Sequence, residues 1–429
     1  MQTPARVDAL STTGGPTRGV AFAALHHRDY RVYFAVTMLA MMGDNIEHVL
    51  SYWLIFEAFH SAALGGFAVI SHWLPALFLS VSIGALADRG DCRRIVQAGQ
   101  GLFILVSAAW GLLFLTGHFE VWHACVLLAV HGLAGSLWGP ANQLIIHDIV
   151  GPADLPSAVR LNSTARQIGQ LFGPAVGGAL LVGLGAPVGL LVNVLLYLPL
   201  TLWLTVAPYT GHGRAGAAAR PLPGVSLGQA FGLLRQISAN RTILSMVALA
   251  GVSALLVGNA YSPQLPAFAA DLGTAQAGFT YSVLLGAHAA GAVLGGFVLE
   301  GGNLLLPRAR TAFVCAFIWC LALGGFALSS SYPLSVALLF VAGVSQLAFS
   351  SMAQTLVQLL APPALRGRAI GLFSMAQNGL RAFSGVSIGL LGAVVGIHWS
   401  LGLSVTALLV AMLGLVALLS APARRLSRA

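Results

Sequence analysis

The chain is predicted to be an all-α membrane protein, with twelve transmembrane helices in two pseudo-symmetric six-helix bundles and both termini cytoplasmic. Three observations predict this. Of 429 residues, 57% are hydrophobic and only 8% charged, with a mean hydropathy of +0.86, a composition that demands a lipid-like solvent and excludes a soluble domain. Twelve apolar stretches of about 20 residues follow one another, each long enough as a helix to cross roughly 30 Å of hydrocarbon. The arginines collect in alternate breaks between these stretches, as the rule for short cytoplasmic segments requires.

Residues 1–20 are rich in Ser, Thr, Gly and Pro without an apolar core, and are expected to form a disordered arm rather than a signal peptide. The first six-helix bundle is placed at 21–208, with spans near 30–57, 64–87, 94–116, 121–146, 160–184 and 188–208. A polar break at 209–240, containing GHGRAGAAARPLPG, reads as a cytoplasmic linker whose second part lies along the membrane. The second bundle is placed at 241–421, with spans near 241–264, 276–299, 309–329, 334–360, 367–393 and 398–420, followed by a cytoplasmic tail at 422–429.

No lysine occurs, so all 21 basic residues are arginine. Counted from a cytoplasmic N-terminus, Arg89, Arg93, Arg94, Arg160, Arg214, Arg220, Arg308, Arg310, Arg366 and Arg368 all fall in inner segments, while Arg166 and Arg381 lie inside spans five and eleven. An odd span count or the opposite orientation would spoil this pattern. The same placement accounts for the high pI, so no nucleic-acid partner is expected. Cys92, Cys125, Cys315 and Cys320 show neither metal-ligand spacing nor a disulfide framework and read as packing residues.

Between spans two and three lies GALADRGDCRR, which packs Gly84, Asp88, Arg89, Arg93 and Arg94 into one short turn. A simple positive stop needs the arginines but not Asp88; an acid among them suits a latch that pairs in one conformation and releases in another. Gly296, Glu300, Arg308 and Arg310 form a degraded copy after span eight, as expected of two repeated halves. Span five carries Gly169, Gly173, Pro174, Gly177 and Gly178 in GQLFGPAVGG. Glycines at i and i+4 leave one helix face bare for close approach of a neighbour, and Pro174 removes a backbone hydrogen bond.

The charged turn resembles the loop between helices two and three of the major facilitator superfamily. The glycine run is similar to the signature of its exporter branches, the drug and proton antiporters. The form ADR-x-D-x-RR, together with HHRDYRVYF before span one, is similar to bacterial exporters of siderophores and macrolides. The resemblance covers nearly the whole chain. It implies the major facilitator fold, a location in the bacterial inner membrane, and proton-coupled efflux of a small organic molecule by alternating access. It implies no cofactor, and a monomer is expected, with protons, a small-molecule substrate and the bilayer as partners. The latch reading implies that Asp88 faces the start of span eleven near Gly367 when the outer side is open.

Span one holds the chemistry. Asp44, Glu47, His48 and Ser51 are spaced to share one helix face, and Asp44 lies roughly 16 Å along the helix from its start, near mid-membrane. A carboxylate there costs about 2.5 to 3.5 kcal/mol on insertion scales, so two of them must face water, a partner or a proton. Asp44 and Glu47 are accordingly the expected proton carriers, with His48 assisting. The alternative is a static stripe in which Asp44 or Glu47 pairs with Arg166 or Arg381. His72, His131, Asn259, Tyr261, His288, Gln377, Asn378 and Arg381 complete a candidate cavity, although each taken alone suits an interhelical hydrogen bond. His131 stands four residues before Gly135 where proton-coupled relatives often carry arginine, so a titratable group replaces a fixed cation.

Two other readings keep the fold. Asp44, Glu47, His48 and His72 could coordinate a divalent metal, or the cavity could pass a lipid; one helix face and a distant histidine do not by themselves establish a metal set. A transporter-like sensor or scaffold would need neither latch nor buried acids. An enzyme is not expected: no H-E-x-x-H occurs, and GVSIG at Gly385–Gly389 lacks the strand and turn of a hydrolase elbow.

Overall fold

A computed structural model of the chain describes residues 22–213, 240–273, 277–302, 308–361, 369 and 372–420. A short turn, Ala23–His26, leads into α1, Arg28–Phe59. Helix α2, Ala62–Arg89, starts at Ser61, whose hydroxyl accepts the Leu64 N–H at 3.3 Å. Helix α3, Cys92–Leu115, starts at Asp91, whose carboxylate accepts the Arg93 N–H at 3.0 Å. Both side chains satisfy backbone donors that a helix leaves open at its first turn.

The stretch Val121–Leu184 is helical except at Gly151, where φ is 73° and ψ 174°. We call the two parts α4, 121–150, and α5, 152–184. The loop expected between spans four and five is therefore a single residue, and Arg160 lies on a helix instead of a connection. The local reason is Gly151-Pro152: glycine accepts the left-handed turn, and proline at the first helical position loses no hydrogen bond. Helix α6 is Ala186–Val206.

In the second half, α7 is Arg241–Leu256 and α8 is the short Leu265–Asp271, so the helix expected over 241–264 breaks early. Gly258 turns the chain with a φ of 49°, and Pro263 and Pro266 follow. Then come α9, Ala277–Gly302, α10, Ala309–Leu328, and α11, Tyr332–Leu360. Helix α12, Leu372–Val395, holds two π-helical turns, Met375–Gly379 and Gly385–Leu390, and α13 is Ile397–Ser420. Among the described residues, ten helices are long and apolar enough to cross a membrane. Helix α1 is long but carries Asp44, Asn45, Glu47 and His48 at its centre, and α7 is apolar but has 16 residues.

The bare face of α5 seats α1. A side chain at Gly169 would strike Met41, one at Gly173 would overlap the Asn45 Cβ, and one at Gly177 would press on Val49. Gly178 points to the other half, where an added Cβ would lie 2.9 Å from that of Ser282 on α9. The second contact between halves is α2 against α12, where Gly66 meets Gly385 and Gly389 backbone to backbone. Further links lie at the same end of the bundle, where α1 ends and α2 begins. The Tyr281 hydroxyl donates to the Val49 carbonyl at 3.0 Å, and Gln264 Nε2 donates to the Ala62 carbonyl at 2.9 Å. The halves are thus joined at the α1–α2 end.

The charged turn is tied to its own half. Arg93 grips the Asp91 carboxylate at 2.8 Å and donates to the Ala207 carbonyl at 2.5 Å, while Cys92 N–H donates to Thr210 O at 2.9 Å. His212 Nε2 lies 2.9 Å from Gly90 O, and Gly211 N–H donates to Asp148 at 3.0 Å. The segment after α6 is therefore strapped under the α2–α3 turn. Hydrogen bonds from Arg93 hold the Asp91 carboxyl below its ordinary value. Arg89 and Arg94 are exposed. The expected meeting of Asp88 with Gly367 lies outside the described residues, as do the arm at 1–20 and the linker from 214 to 239.

Candidate functional site

Glu47 is the hub of a buried cluster in the first half, only 1% exposed. One carboxylate oxygen lies 2.6 Å from His131 Nδ1. The other accepts from the Ser107 hydroxyl at 2.5 Å and the Tyr197 hydroxyl at 3.3 Å. Ser107 is held in turn by Asn193 Nδ2 at 3.2 Å, and the same amide donates to the Gly43 carbonyl at 3.0 Å. Three helices, α3, α4 and α6, thus supply the partners of one carboxylate on α1, which is what a charge away from water needs.

The opposite ring nitrogen of His131, Nε2, lies 3.1 Å from Asp44 Oδ1. His131 is therefore clamped between two carboxylates one helical turn apart on α1. His48 Nδ1 lies 2.7 Å from the Asp44 backbone carbonyl, and its Nε2 lies 3.3 Å from His72 Nδ1 on α2. Glu47, His48, Ser51, His72 and His131 line a cavity of about 10 Å³, room for about one water molecule. The face-sharing of Asp44, Glu47, His48 and Ser51 places them together as the spacing implied. The ion pairs of Asp44 and Glu47 are with histidines; among the described residues neither pairs with Arg166 or Arg381.

The remaining candidates gather elsewhere. In the second half the Tyr261 hydroxyl lies 2.9 Å from His288 Nε2, which is 3.1 Å from Gln346 Oε1. Helix α9 packs on α11 here, and among the described residues no carboxylate joins His288 and Gln346. Asn259 and Tyr261 belong to the turn after α7 rather than to a helix. Asn378 is exposed within a π turn, and Arg381 sets its guanidinium 5.3 Å from the centre of the Trp73 ring on α2. The structure brings Asp44, Glu47, His48, His72 and His131 together and keeps His288 with its own half.

Sequence reasoning missed Ser107, Asn193, Tyr197 and Gln346. Asn193 and Gln346 each stand alone in an apolar run, a signal for an interhelical hydrogen bond. Nothing in the spacing of Ser107 or Tyr197 connects them to Glu47.

Residues 19–425 match the family described as transmembrane secretion effector. The chain is 28% identical over 188 residues to the staphyloferrin A transporter of Staphylococcus aureus, a match that covers 42% of this chain and 47% of that relative, less than half its length. The fold is similar to that of the nucleoside transporter NupG, with a TM-score of 0.71 at 16% identity, covering 92% of this chain and all of that one. It is also similar to a bacterial homologue of the human lysosomal transporter Spinster, with a TM-score of 0.65 at 16% identity over 94% of this chain and 99% of that one. Helical spans, an α5 that seats α1 on bare glycine, paired contacts between α2 and α12 and between α5 and α9, and a family match over nearly the full length have one common account: the chain belongs to the transmembrane secretion effector family of major facilitator superfamily transporters.

Proposed function

We propose that the protein is a proton-coupled secondary exporter of a small organic molecule of the siderophore or drug type, working by alternating access in a bacterial plasma membrane. In this reading α1 and the α7–α8 segment complete twelve spans, arranged as two bundles at 21–208 and 241–421 with both termini cytoplasmic. The observation that carries the coupling is the chain Glu47, His131, Asp44, with its 2.6 Å and 3.1 Å separations. A protonated imidazole between two carboxylates balances part of their charge away from water, and losing or gaining a proton there changes the balance by a full charge. Asp44 retains 21% side-chain exposure where Glu47 is sealed, which makes Asp44, with His48 and His72, the route by which a proton reaches the hub.

Rocking of the halves would open and close that route. The staphyloferrin A transporter supports a siderophore-like cargo, and the exporter-type glycine run supports the outward direction. The reading is tested in everted vesicles with a pH-sensitive dye and staphyloferrin A as the first compound. The double variant Asp44→Asn, Glu47→Gln is expected to abolish the substrate-evoked proton signal of the wild type. A double variant that still moves protons with substrate overturns the coupling.

A further inference from the structure

Three imidazoles and one carboxylate converge in the first half, with ring nitrogens and a carboxylate oxygen facing one another. His48 Nδ1 is engaged by the Asp44 backbone carbonyl at 2.7 Å, which leaves Nε2 with a lone pair. His131 Nδ1 is engaged by Glu47 at 2.6 Å, so loss of the Nε2 proton that faces Asp44 frees that nitrogen's lone pair for an ion. Outer partners of this kind, a carbonyl and a carboxylate that fix ring tautomer and orientation, accompany metal-ligating histidines. His131 Nε2 and Asp44 Oδ1 are both sealed from solvent and face each other at 3.1 Å. His131 is only 5% exposed.

The spacings suit one ion. Ligand atoms on a tetrahedral zinc at ~2.0 to 2.1 Å are about 3.3 Å from one another. His48 Nε2 and His72 Nδ1 are 3.3 Å apart, and His131 Nε2 and Asp44 Oδ1 are 3.1 Å apart, so two separations already match the edge of such a tetrahedron. One ring nitrogen from each of the three histidines lies within 4.8 Å of the others, a gap that side-chain rotation must close by about 1.5 Å. Asp44 and Glu47 place two carboxylates against these imidazoles, so a divalent cation would meet opposite charge there. The cluster of Tyr261, His288 and Gln346 has no carboxylate partner among the described residues.

We propose that His48, His72, His131 and Asp44 form a binding site for a divalent cation of the Zn²⁺, Co²⁺ or Ni²⁺ class, with Glu47 as the outer partner that orients His131. Imidazole-rich sets with one carboxylate favour these ions over Mg²⁺ or Ca²⁺, which prefer oxygen ligands. The set differs from the one the sequence suggested, because His131 supplies a ligand and Glu47 stands behind it.

Co²⁺ is the probe. Full-length protein purified without a histidine tag and stripped by chelator is titrated with Co²⁺, and visible absorption reports its coordination. One equivalent per chain is expected, displaced by Zn²⁺. His72→Gln and Asp44→Asn should each weaken binding by at least ~10-fold, by analogy with the 10–100-fold cost of losing even an outer partner. His398→Gln, which alters a half-buried histidine paired with Asp271 away from the cluster, should leave the affinity unchanged. Wild-type protein that binds less than half an equivalent, or binds as tightly in His72→Gln as in wild type, overturns the site. If the variants do not fold, X-ray absorption at the zinc edge of the loaded wild type decides: three imidazoles support the proposal and two or fewer overturn it. Absence of Co²⁺ binding leaves proton coupling standing, because that is read from the dye response without metal.

Discussion

At the scale of residues, Glu47 and His131 stabilise each other because neither charge is tolerable alone in this setting. Removing one partner of a buried pair costs about 3 to 5 kcal/mol, whereas removing both as a matched pair costs far less. A double-mutant cycle with Glu47→Gln and His131→Gln, read by unfolding in SDS, should therefore show a coupling energy of at least ~1 kcal/mol. A cycle that closes at zero would show the 2.6 Å pair to be energetically idle. The sequence made Asp44, Glu47 and His48 visible because acids in an apolar run have few structural excuses and their spacing follows the helical period. It could not connect them to Ser107, Asn193 or Tyr197. Those partners reach Glu47 through the packing of separate helices, and a lone serine or tyrosine in a span has many other uses.

At the scale of elements, two glycine-dependent contacts serve different purposes. Gly169, Gly173 and Gly177 fix α1 against α5 within one half, which holds Asp44 and Glu47 at a set height beside α4. Gly178, Gly66, Gly385 and Gly389 instead let the halves meet. The strap after α6 depends on Gly211, whose φ is 93° and whose added Cβ would lie 2.6 Å from the Cys92 sulfur. Gly211→Ala is expected to lift the strap and expose the buried Cys92, raising its maleimide labelling several-fold; unchanged labelling would show that the strap tolerates the side chain. Because Asp91 is held below its ordinary 3.8, its clasp with Arg93 contributes stability above the usual carboxylate range and loses it only as pH falls through the lowered value. Wild-type labelling should accordingly stay low from about pH 5 to 8. Arg93 is occupied by this strap, which leaves Asp88, Arg89 and Arg94 to carry the proposed latch. Asp88→Ala should leave folding intact and slow turnover, and transport kinetics equal to wild type would remove the latch.

At the scale of the whole molecule, the links between halves at the α1–α2 end describe one of the two arrangements that alternating access needs. A Cβ on Gly392 would lie 3.7 Å from that of Ala62, so a disulfide between Ala62→Cys and Gly392→Cys should lock this arrangement. In a background without native cysteines, transport is expected to fall at least ~10-fold on oxidation and return on reduction, the cross-link having removed one of the two states. Oxidised protein that transports at full rate would show that this end does not need to part. The sequence by itself determined that the chain belongs in a membrane, is all helical and carries acids inside a long apolar helix, because hydropathy and helical period are local or additive properties of the chain. Only the tertiary structure decided which residues neutralise those acids, where the α4–α5 and α7–α8 breaks fall, and that three histidines from three helices meet. Such convergence depends on how helices rotate and cross, which the order of residues along any single helix does not encode.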